Sequence, residues 1–200
     1  RTYDSRDRAQ SRDFGFGWSL DYQNVKVEES RTLGLGWSQN EYPTGPLNTL
    51  VNVCTEPKGA PIVSVTLPDG DVERFEVGAS PRCNLLLPVN RVDLSFTSVG
   101  DTQTSLEAVG QSLFYFKNDS LTLDIDSDQL ANPDQYRLTT RAGFVYDLDQ
   151  DFGVSKVTDP NGNTLTYSDD GIVHSDGKRV DFVRDTTGRV TQVIDPMGRA

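Results

Sequence analysis

An all-β fold built largely from antiparallel hairpins is predicted by three observations. Ala is scarce while Val, Thr, Tyr and Phe are plentiful, which favours strands over helices. The 17 Gly and 10 Pro supply many turns. Short runs of alternating apolar and polar residues recur between Gly, Asp, Asn and Pro, as in SVTL, RFEV, YRLTT, TLTY and RVDFV. The single helical candidate is SLEAVGQS at residues 105–112, and Gly110 weakens it.

Length and charge restrict the function classes. The 200 residues are enough to bury a core in one large β domain or two small ones. No run approaches the ~18 apolar residues of a membrane helix, so no membrane span is expected. The opening RTYDSRDRAQ is unlike a signal peptide, and without an initiator Met we expect a piece of a longer chain. The formal charge of −11 would repel a phosphate backbone, so nucleic acid is not an expected partner.

A Gly-x-Gly-Trp-Ser pattern occurs twice, as FGFGWS at residues 14–19 and as LGLGWS at residues 33–38. A dinucleotide-binding loop needs a third Gly three positions later and a helix after it, but Leu20 and Gln39 stand there. The phosphate-binding interpretation therefore fails for both copies.

The alternative is a strand with one bare face. In an extended strand Gly15 and Gly17 share one face, while Phe14, Phe16 and Trp18 share the other. The bare face lets another backbone or side chain approach closely, and the opposite face carries a large apolar area. The same pattern predicts a structural role for the second copy, in its residues Gly34, Gly36 and Trp37.

The chain also repeats Asp-Gly or Asn-Gly followed, five residues after the Gly, by an aromatic residue. Such dipeptides favour type I′ turns, whose twist suits a hairpin. The alternation of a strand then points each aromatic side chain to one face of the sheet. The three copies are Asp69-Gly70 with Phe75, Asn161-Gly162 with Tyr167, and Asp176-Gly177 with Phe182.

A second unit returns after 36 residues: VTDPNG at residues 157–162 and VIDPMG at residues 193–198. Pro fits the second position of a turn and Gly the last. Each copy therefore predicts strand, Asp-Pro-x-Gly turn, strand. Such repeats build arrays in which neighbours complete one another's apolar face.

These motifs resemble the YD repeats of RHS proteins, whose usual pattern is Y-D-x-x-G-R-[LV]-x-x-[VI]-x-D-P-x-G. The stretch at residues 185–198 is similar to it, with Val183 and Arg184 where an aromatic residue and its neighbour might stand. The start of the chain resembles the segment before those repeats, through Arg1, Tyr3, Ser5, Arg6 and FGFGWSL. The resemblance covers residues 1–22 and 147–200.

The resemblance implies a pre-repeat β segment at residues 1–140 and hairpin repeats at residues 141–200. It implies a non-catalytic wall section of a larger β-shell or curved sheet that encloses or displays a C-terminal toxin or effector. The partners would be the remaining repeats of the same parent chain and the enclosed cargo, and the protein would be secreted or at the cell surface. Some relatives cut themselves at a D-P-x-G-[LW] site, but Asn163 and Arg199 follow the Gly here, as in ordinary repeats.

Aromatic residues are expected to pack in this wall, and Gly, Asp, Pro and Arg to set its turns, with no catalytic, cofactor-binding or metal-binding residue among them. The aromatic set is Phe14, Phe16, Trp18, Trp37, Phe75, Tyr167 and Phe182. The backbone set is Gly15, Gly17, Gly34, Gly36, Asp159, Pro160, Gly162, Gly177, Gly188, Arg189, Asp195, Pro196 and Gly198.

Other chemistry has weaker signals. The Asp-x-Asp-x-Asp runs at residues 124–128 and 147–151 lack the Gly and Glu of a calcium loop, which favours the wet face of a strand. Two Cys and one His do not suggest zinc, and Cys54 and Cys83 fit either a disulfide or two separate thiols. His174 lies beside a predicted hairpin turn rather than in a triad.

Residues 118–120 match the glycosylation motif, but a turn is the better interpretation. Two further functions stay open. One is a surface-binding module that grips glycans through Trp18, Trp37 and Tyr115. The other is a hydrolase, although no carboxylate pair stands out among the 30 acidic residues.

Overall fold

The computed structural model describes residues 1–3, 5, 8–9, 11–20, 25–67, 70–101, 103–126 and 128–200. Arg6 and Asp69, which belong to motifs named above, lie outside the described residues. A short 3-10 helix covers Pro46–Asn48. The strands are β1 Thr2–Tyr3, β2 Ser11–Arg12, β3 Gly15–Phe16, β4 Trp18–Ser19, β5 Lys26–Glu29, β6 Trp37–Thr44, β7 Leu50–Pro57, β8 Ile62–Thr66, β9 Val72–Ser80, β10 Cys83–Leu85, β11 Arg91–Ser98, β12 Ser105–Ala108, β13 Phe114–Lys117, β14 Ser120–Thr122, β15 Gln135–Thr139, β16 Val145–Asp149, β17 Gly153–Thr158, β18 Thr164–Ser168, β19 Gly171–His174, β20 Arg179–Arg184 and β21 Val190–Ile194.

The all-β prediction is confirmed, and the sheets are antiparallel. A three-stranded sheet has the order β10-β7-β6, a six-stranded sheet the order β14-β13-β11-β9-β8-β5, and an eight-stranded sheet the order β12-β15-β16-β17-β18-β19-β20-β21. Two small pairs, β1-β4 and β2-β3, complete the described sheets. From β16 to β21 each strand pairs with the next along the chain, as expected for a series of hairpins.

The expected helix at residues 105–112 is wrong, because Ser105–Ala108 is strand β12. Val109 continues the strand's ladder by donating its N–H to the carbonyl of Gln135 at 2.9 Å. Gly110 follows at φ 84°, which breaks any helical continuation. Eight residues, with Leu106, Ala108 and Val109 as their apolar residues, are too few for a helical period to decide the structure against sheet pairing.

The chain divides into two compact units. The first comprises Arg1–Val27, Val65–Val72 and Leu138–Ala200, and the second comprises Glu28–Ser64 and Glu73–Arg137. Within the second unit a core cluster forms around the fully buried Trp37. The cluster consists of Trp37, Ala79, Val89, Val92, Phe114, Leu121 and Ala131.

The two cysteines form a disulfide. Cys54 of β7 and Cys83 of β10 are direct partners across antiparallel strands, so their side chains lie on the same face. This resolves the two alternatives that spacing alone left open.

Candidate functional site

Five turns of one design lie within residues 138–200, at residues 140–144, 159–163, 174–178, 185–189 and 195–199. The first four connect successive strands, and the fifth follows β21. In each, the N–H of the fourth residue, a Gly, donates to the carbonyl of the first at 2.9–3.0 Å. The N–H of the first residue donates to the carbonyl of the fifth at 2.8–2.9 Å. The five Gly have φ between 77° and 91°. This is a three-residue hairpin loop with Gly in the left-handed region at its third position.

The predicted turn type was wrong at two of these sites. A type I′ turn needs positive φ at both central residues, but Asn161 and Asp176 do not have it; only the Gly after each does. The residues that close these loops are Asp159 with Asn163 and His174 with Lys178, so each loop has three residues instead of two. The Gly is the third residue of each loop. Positive φ at two successive residues is instead found at Asn118 (49°) and Asp119 (59°), between the paired Lys117 and Ser120. The predicted turn at residues 118–120 is confirmed.

The first residue of each turn holds the turn together through its side chain. Asp159 Oδ1 accepts the N–H groups of Asn161 and Asn163 at 2.8 and 2.9 Å. Asp195 Oδ1 does the same for Met197 and Arg199, at 2.8 and 2.9 Å. These carboxylates satisfy backbone donors that the tight turn leaves without a ladder partner.

The other turns use different acceptors in the same place. Asp185 Oδ1 accepts the N–H groups of Thr187 and Arg189 at 2.9 and 3.0 Å. Thr140 Oγ1 accepts the N–H of Phe144 at 3.1 Å. His174 Nδ1 accepts the N–H of Asp176 at 3.1 Å, which assigns the only histidine to a turn.

The recurring four-residue spacing of Asp and Arg in two turns is explained by an ion pair inside each turn. Arg189 Nε and Nη2 lie 3.1 and 3.0 Å from Asp185 Oδ2. Arg199 Nε and Nη2 lie 2.8 and 2.6 Å from Asp195 Oδ2. In the third such turn, Asn163 Nδ2 donates to Asp159 Oδ2 at 2.8 Å instead. The Asp-x-x-Gly-Arg motif is therefore a self-contained turn, with one carboxylate bonded on both oxygens.

Hydrogen bonding lowers the pKa of the three carboxylates that stand at the first position of a turn. The Asn163 side chain holds the pKa of Asp159 below its usual value. The Thr187 hydroxyl and the Arg189 N–H do so for Asp185, and the Arg199 N–H and side chain for Asp195. Each carboxylate is thus ionised and committed to its own turn.

Acid should therefore weaken the first unit. A carboxylate whose pKa is lower in the folded state contributes stability above its unfolded pKa, about 3.9, and loses it as the pH falls through the folded pKa. Urea unfolding from about pH 6 to about pH 2 should show a falling free energy of unfolding below about pH 4. The variant with Asn at positions 159, 185 and 195 keeps the accepting oxygen but not the charge, so its profile should be flatter. An equal acid response in that variant would contradict the role of these carboxylates.

Strand register places Tyr167 and Phe182, two of the three predicted repeat aromatics, on one face of the eight-stranded sheet, whereas Phe75 lies in the six-stranded sheet. Tyr146 pairs with Val157, which pairs with Leu165; Tyr167 pairs with Ile172, which pairs with Val180; Phe182 pairs with Val193. Direct partners share a face. We call this set the apolar face: Tyr146, Val157, Leu165, Tyr167, Ile172, Val180, Phe182 and Val193.

The apolar face is only partly covered in this chain. Tyr167 and Phe182 are half-buried rather than buried. Leu165 and Val193 are 36% and 44% exposed. Burial, with the neighbouring Tyr146 as a smaller cause, raises the pKa of Tyr167. The opposite face, represented by Thr158, Thr166 and Arg179, is mainly polar.

The first Gly-x-Gly-Trp copy is not the continuous strand that was predicted. Gly15 and Gly17 have φ of 109° and 74°, and the chain bends at Gly17 between β3 and β4. The Phe14 N–H donates to the carbonyl of Trp18 at 3.2 Å, which closes the bend. The aromatic side chains consequently do not pack as one buried face: Phe16 is 64% and Trp18 39% exposed. Glycine's access to positive φ outweighs the alternating pattern here.

Asp13 lies beside this bend and connects the bend to the hairpin formed by β20 and β21. Asp13 Oδ1 lies 2.6 Å from Arg184 Nη1, and the two side chains are only 5% and 19% exposed. The carbonyl of Asp13 accepts the N–H of Val190 at 2.7 Å. Arg184 also donates from Nε to the carbonyl of Asp169 and from Nη1 to that of Gly188. The ion pair therefore connects three segments of the first unit.

A double-mutant cycle should reveal strong coupling between Asp13 and Arg184. With Asp13→Asn and Arg184→Gln, we expect a coupling energy of about 2 kcal/mol in urea unfolding, because removing either partner leaves a poorly solvated charge. The exposed pair Arg179 and Asp181 is the matched control, with an expected coupling below about 1 kcal/mol. Equal coupling in both cycles would show that burial adds nothing at Asp13.

The second Gly-x-Gly-Trp copy lies at the centre of the second unit. An added Cβ on Gly34 would be 2.6 Å from both the Ala131 nitrogen and the Leu121 oxygen. Gly34 itself accepts the N–H of Leu121 at 2.7 Å. Gly36 has φ 70° and turns the chain into β6. The expected close backbone approach at a bare glycine is thus found at Gly34.

Trp37 occupies the core beside this glycine. It is fully buried, and its Nε1 donates to the Leu33 carbonyl at 2.7 Å, so the buried indole N–H is satisfied. Phe75 is also fully buried. Trp37 is therefore unavailable to a glycan, which corrects its place among the glycan-binding candidates.

Sequence reasoning missed a carboxylate cluster in the second unit. Glu56 accepts hydrogen bonds from the Tyr42 hydroxyl, from Asn40 Nδ2 at 2.8 Å and from Arg82 Nη2 at 2.6 Å. Burial alone would raise the pKa of Glu56, but the bonds from Tyr42, Asn40 and Arg82 hold it below its usual value. The cluster borders a groove of about 380 Å³. A carboxylate so fully bonded is suited to fixing strands rather than to proton transfer.

The remaining candidates for chemistry are also bonded within the fold. In the acidic runs, Asp124 Oδ1 accepts the Asp126 N–H, and Asp149 Oδ1 accepts those of Asp151 and Phe152. Within the described ranges, no three His, Cys, Asp or Glu side chains gather where they could hold a metal ion. Tyr115 carries the Arg91 guanidinium 5.0 Å above its ring centre.

In the part of the chain that the structure describes, no helix has the length and hydropathy of a membrane span. No family model, curated protein or solved structure matches this chain.

Proposed function

We propose that this chain is a non-catalytic wall section of a β-shell of the RHS/YD-repeat type, which encloses or displays a C-terminal toxin or effector. The single observation that carries the proposal is the series of side-chain-capped hairpins with their aromatics on one face. Each hairpin fixes its own turn, so the sheet can extend by adding identical units.

The half-covered apolar face supports the same function. A sheet face with Tyr167, Phe182 and their apolar neighbours is more stable when another layer covers it. The remaining repeats of the parent chain and the enclosed polypeptide are the partners that would supply this layer. The disulfide supports a secreted or cell-surface location for the assembly.

No catalytic residue belongs to this proposal. The carboxylates that draw attention in the sequence, Asp159, Asp185 and Asp195, are bonded on both oxygens within their turns. Glu56 has three side-chain donors of its own.

Protease protection of the parent chain tests the proposal. A segment C-terminal to the repeats should resist protease added to the intact protein. Tyr167→Asp with Phe182→Asp should make that segment cleavable, because two charges on the apolar face disrupt its packing. Thr166→Asp with Val183→Asp, on the opposite face, is the matched control and should preserve protection. A segment digested equally in wild type and variants would contradict an enclosing wall.

A second candidate, glycan binding, is favoured by the exposed aromatics of the first unit. Tyr3 is 47% exposed, and its ring lies 5.3 Å from that of Trp18. Arg1 lies 5.5 Å from the Trp18 ring centre. On a glycan array the wild-type chain should bind, and Trp18→Ala should abolish that binding. Phe144→Ala, which also removes an exposed aromatic ring, is the control and should leave binding intact. An array without signal, or with signal indifferent to Trp18→Ala, would remove this candidate.

A further inference from the structure

One end of the three-stranded sheet β10-β7-β6 carries two loops side by side. The loop at residues 45–49 connects β6 to β7 beyond the pair Thr44 and Leu50. After β10, Leu86 donates its N–H to the carbonyl of Val51 at 2.8 Å. Because β10 runs antiparallel to β7, the end of β10 and the loop at residues 45–49 lie at the same end of the sheet.

Four leucines at this end are exposed. Leu47 is 95% exposed, and Leu85, Leu86 and Leu87 are 47%, 60% and 65% exposed. We call these four residues the leucine tip. Single exposed leucines are ordinary on a protein surface, but a group of four at one end of a sheet marks an interaction site.

The backbone at the tip is held in an unusual conformation. Leu47 and Asn48 have φ of 59° and 53°, and Leu86 has φ 66°. Left-handed conformation is uncommon for residues other than Gly, Asn and Asp, and it is rarer for a bulky side chain. Two separate loops each place a leucine in this region and leave it exposed, and such local strain is retained mainly where it serves a function.

The tip is also free of charge. The stretches at residues 42–55 and 83–90 contain no Asp, Glu, Lys or Arg, although 24% of the chain is charged. Their polar residues are neutral Asn, Thr and Tyr. Since the whole chain has a formal charge of −11, this uncharged end is suited to a surface that carries no net negative charge.

The base of the tip is rigid. Strands β6 and β7 pair over eight residues, and the disulfide joins β7 to β10. Glu56 ties β7 to Tyr42 of β6 and to Arg82 next to β10. Tyr42 is 44% exposed and lies near the end of β6 that leads into the loop at residues 45–49. An amphipathic tyrosine ring at this position can lie at the level of lipid headgroups.

We propose that the leucine tip inserts into the surface of a zwitterionic phospholipid bilayer. The four leucines would enter the boundary between headgroups and acyl chains, with the neutral Asn and Thr side chains among the headgroups. Because the stretches that form the tip carry no charged side chain, their entry into the headgroup layer leaves no ion to be desolvated. This inference is independent of the wall function, since it uses none of the repeat sheet.

Vesicle binding by the oxidised protein tests the inference. The wild-type chain should sediment with phosphatidylcholine vesicles, and Leu47→Ser with Leu86→Ser should weaken the partition about tenfold or more, because two apolar side chains are lost. Leu113→Ser is the matched control: Leu113 is 43% exposed and has φ 59°, but it precedes β13 of the six-stranded sheet rather than a strand of the three-stranded sheet that carries the tip. Near-ultraviolet circular dichroism and the retained disulfide would verify the fold of each variant.

Two further measurements separate the alternatives. Adding phosphatidylserine should weaken binding at low salt and not at high salt, because the acidic chain is repelled. Analytical ultracentrifugation without lipid should show the same molecular mass for wild type and the double variant. Absent binding to phosphatidylcholine, an equal loss in Leu113→Ser, or a tip-dependent dimer without lipid binding would each overturn the inference.

Discussion

Gly171→Ala should separate strands β19 and β20 and destabilise the first unit by about 4 kcal/mol. An added Cβ would lie 2.0 Å from the Val180 carbonyl oxygen and 3.1 Å from the Asp181 Cα. These are backbone atoms of the paired strand, so no side-chain rotation can relieve the contact. Gly171 also has φ 146°, a conformation that other residues rarely adopt. The change therefore disrupts the hydrogen-bond ladder between β19 and β20 directly.

Gly177→Ala is the matched control for this experiment. Gly177 has φ 91°, but a Cβ there would meet no atom within 4 Å. Only the backbone strain remains, about 1 kcal/mol. Urea unfolding, followed by a probe in the repeat sheet, measures both. If the two variants lost the same stability, the close approach at Gly171 would have no energetic weight.

Gly34→Ala should be as damaging in the second unit, at about 4 kcal/mol. Its Cβ would meet the Ala131 nitrogen and the Leu121 oxygen at 2.6 Å each. Those two atoms are themselves joined by a hydrogen bond of 2.8 Å, so the intruding methyl group would open it. Leu121 and Ala131 belong to the core cluster with Trp37, and the disturbance would reach that core. A loss of this size is a large share of a domain's total stability.

Gly78→Ala provides the comparison within the same unit. There the nearest atom to an added Cβ is the Ser95 hydroxyl, at 3.1 Å, and a serine side chain can rotate away. We expect a loss below about 1 kcal/mol. Trp37 fluorescence during denaturation reports the unfolding of this unit. Comparable losses at Gly34 and Gly78 would contradict the packing described for the second Gly-x-Gly-Trp copy.

Local geometry was the part of the fold that the sequence predicted best. Asp159-Pro160 and Asp195-Pro196 specify their turns within five residues, because Pro restricts φ, Gly takes the left-handed position and Asp caps the backbone. The alternation around Tyr167 and Phe182 likewise placed both rings on one face. The type I′ assignment failed because the dipeptide alone does not show where the loop closes.

The sequence pattern could not predict which distant residues contact one another. The bare glycine at position 34 indicated a close neighbour, but nothing in the sequence identified Ala131. FGFGWS and LGLGWS look alike, yet Trp18 is exposed and Trp37 is buried, because only the second copy is surrounded by a core. The leucine tip had a signal that was overlooked: two uncharged stretches in an otherwise charged chain.

A structure of the parent chain that includes residues C-terminal to Ala200 tests the wall assignment most directly. The account predicts that a further strand pairs with the free edge of β21, next to Val193. It also predicts that a covering layer buries Tyr146, Tyr167 and Phe182. A structure in which those residues surround a bound small molecule, or in which β21 gains no neighbouring strand, would contradict it.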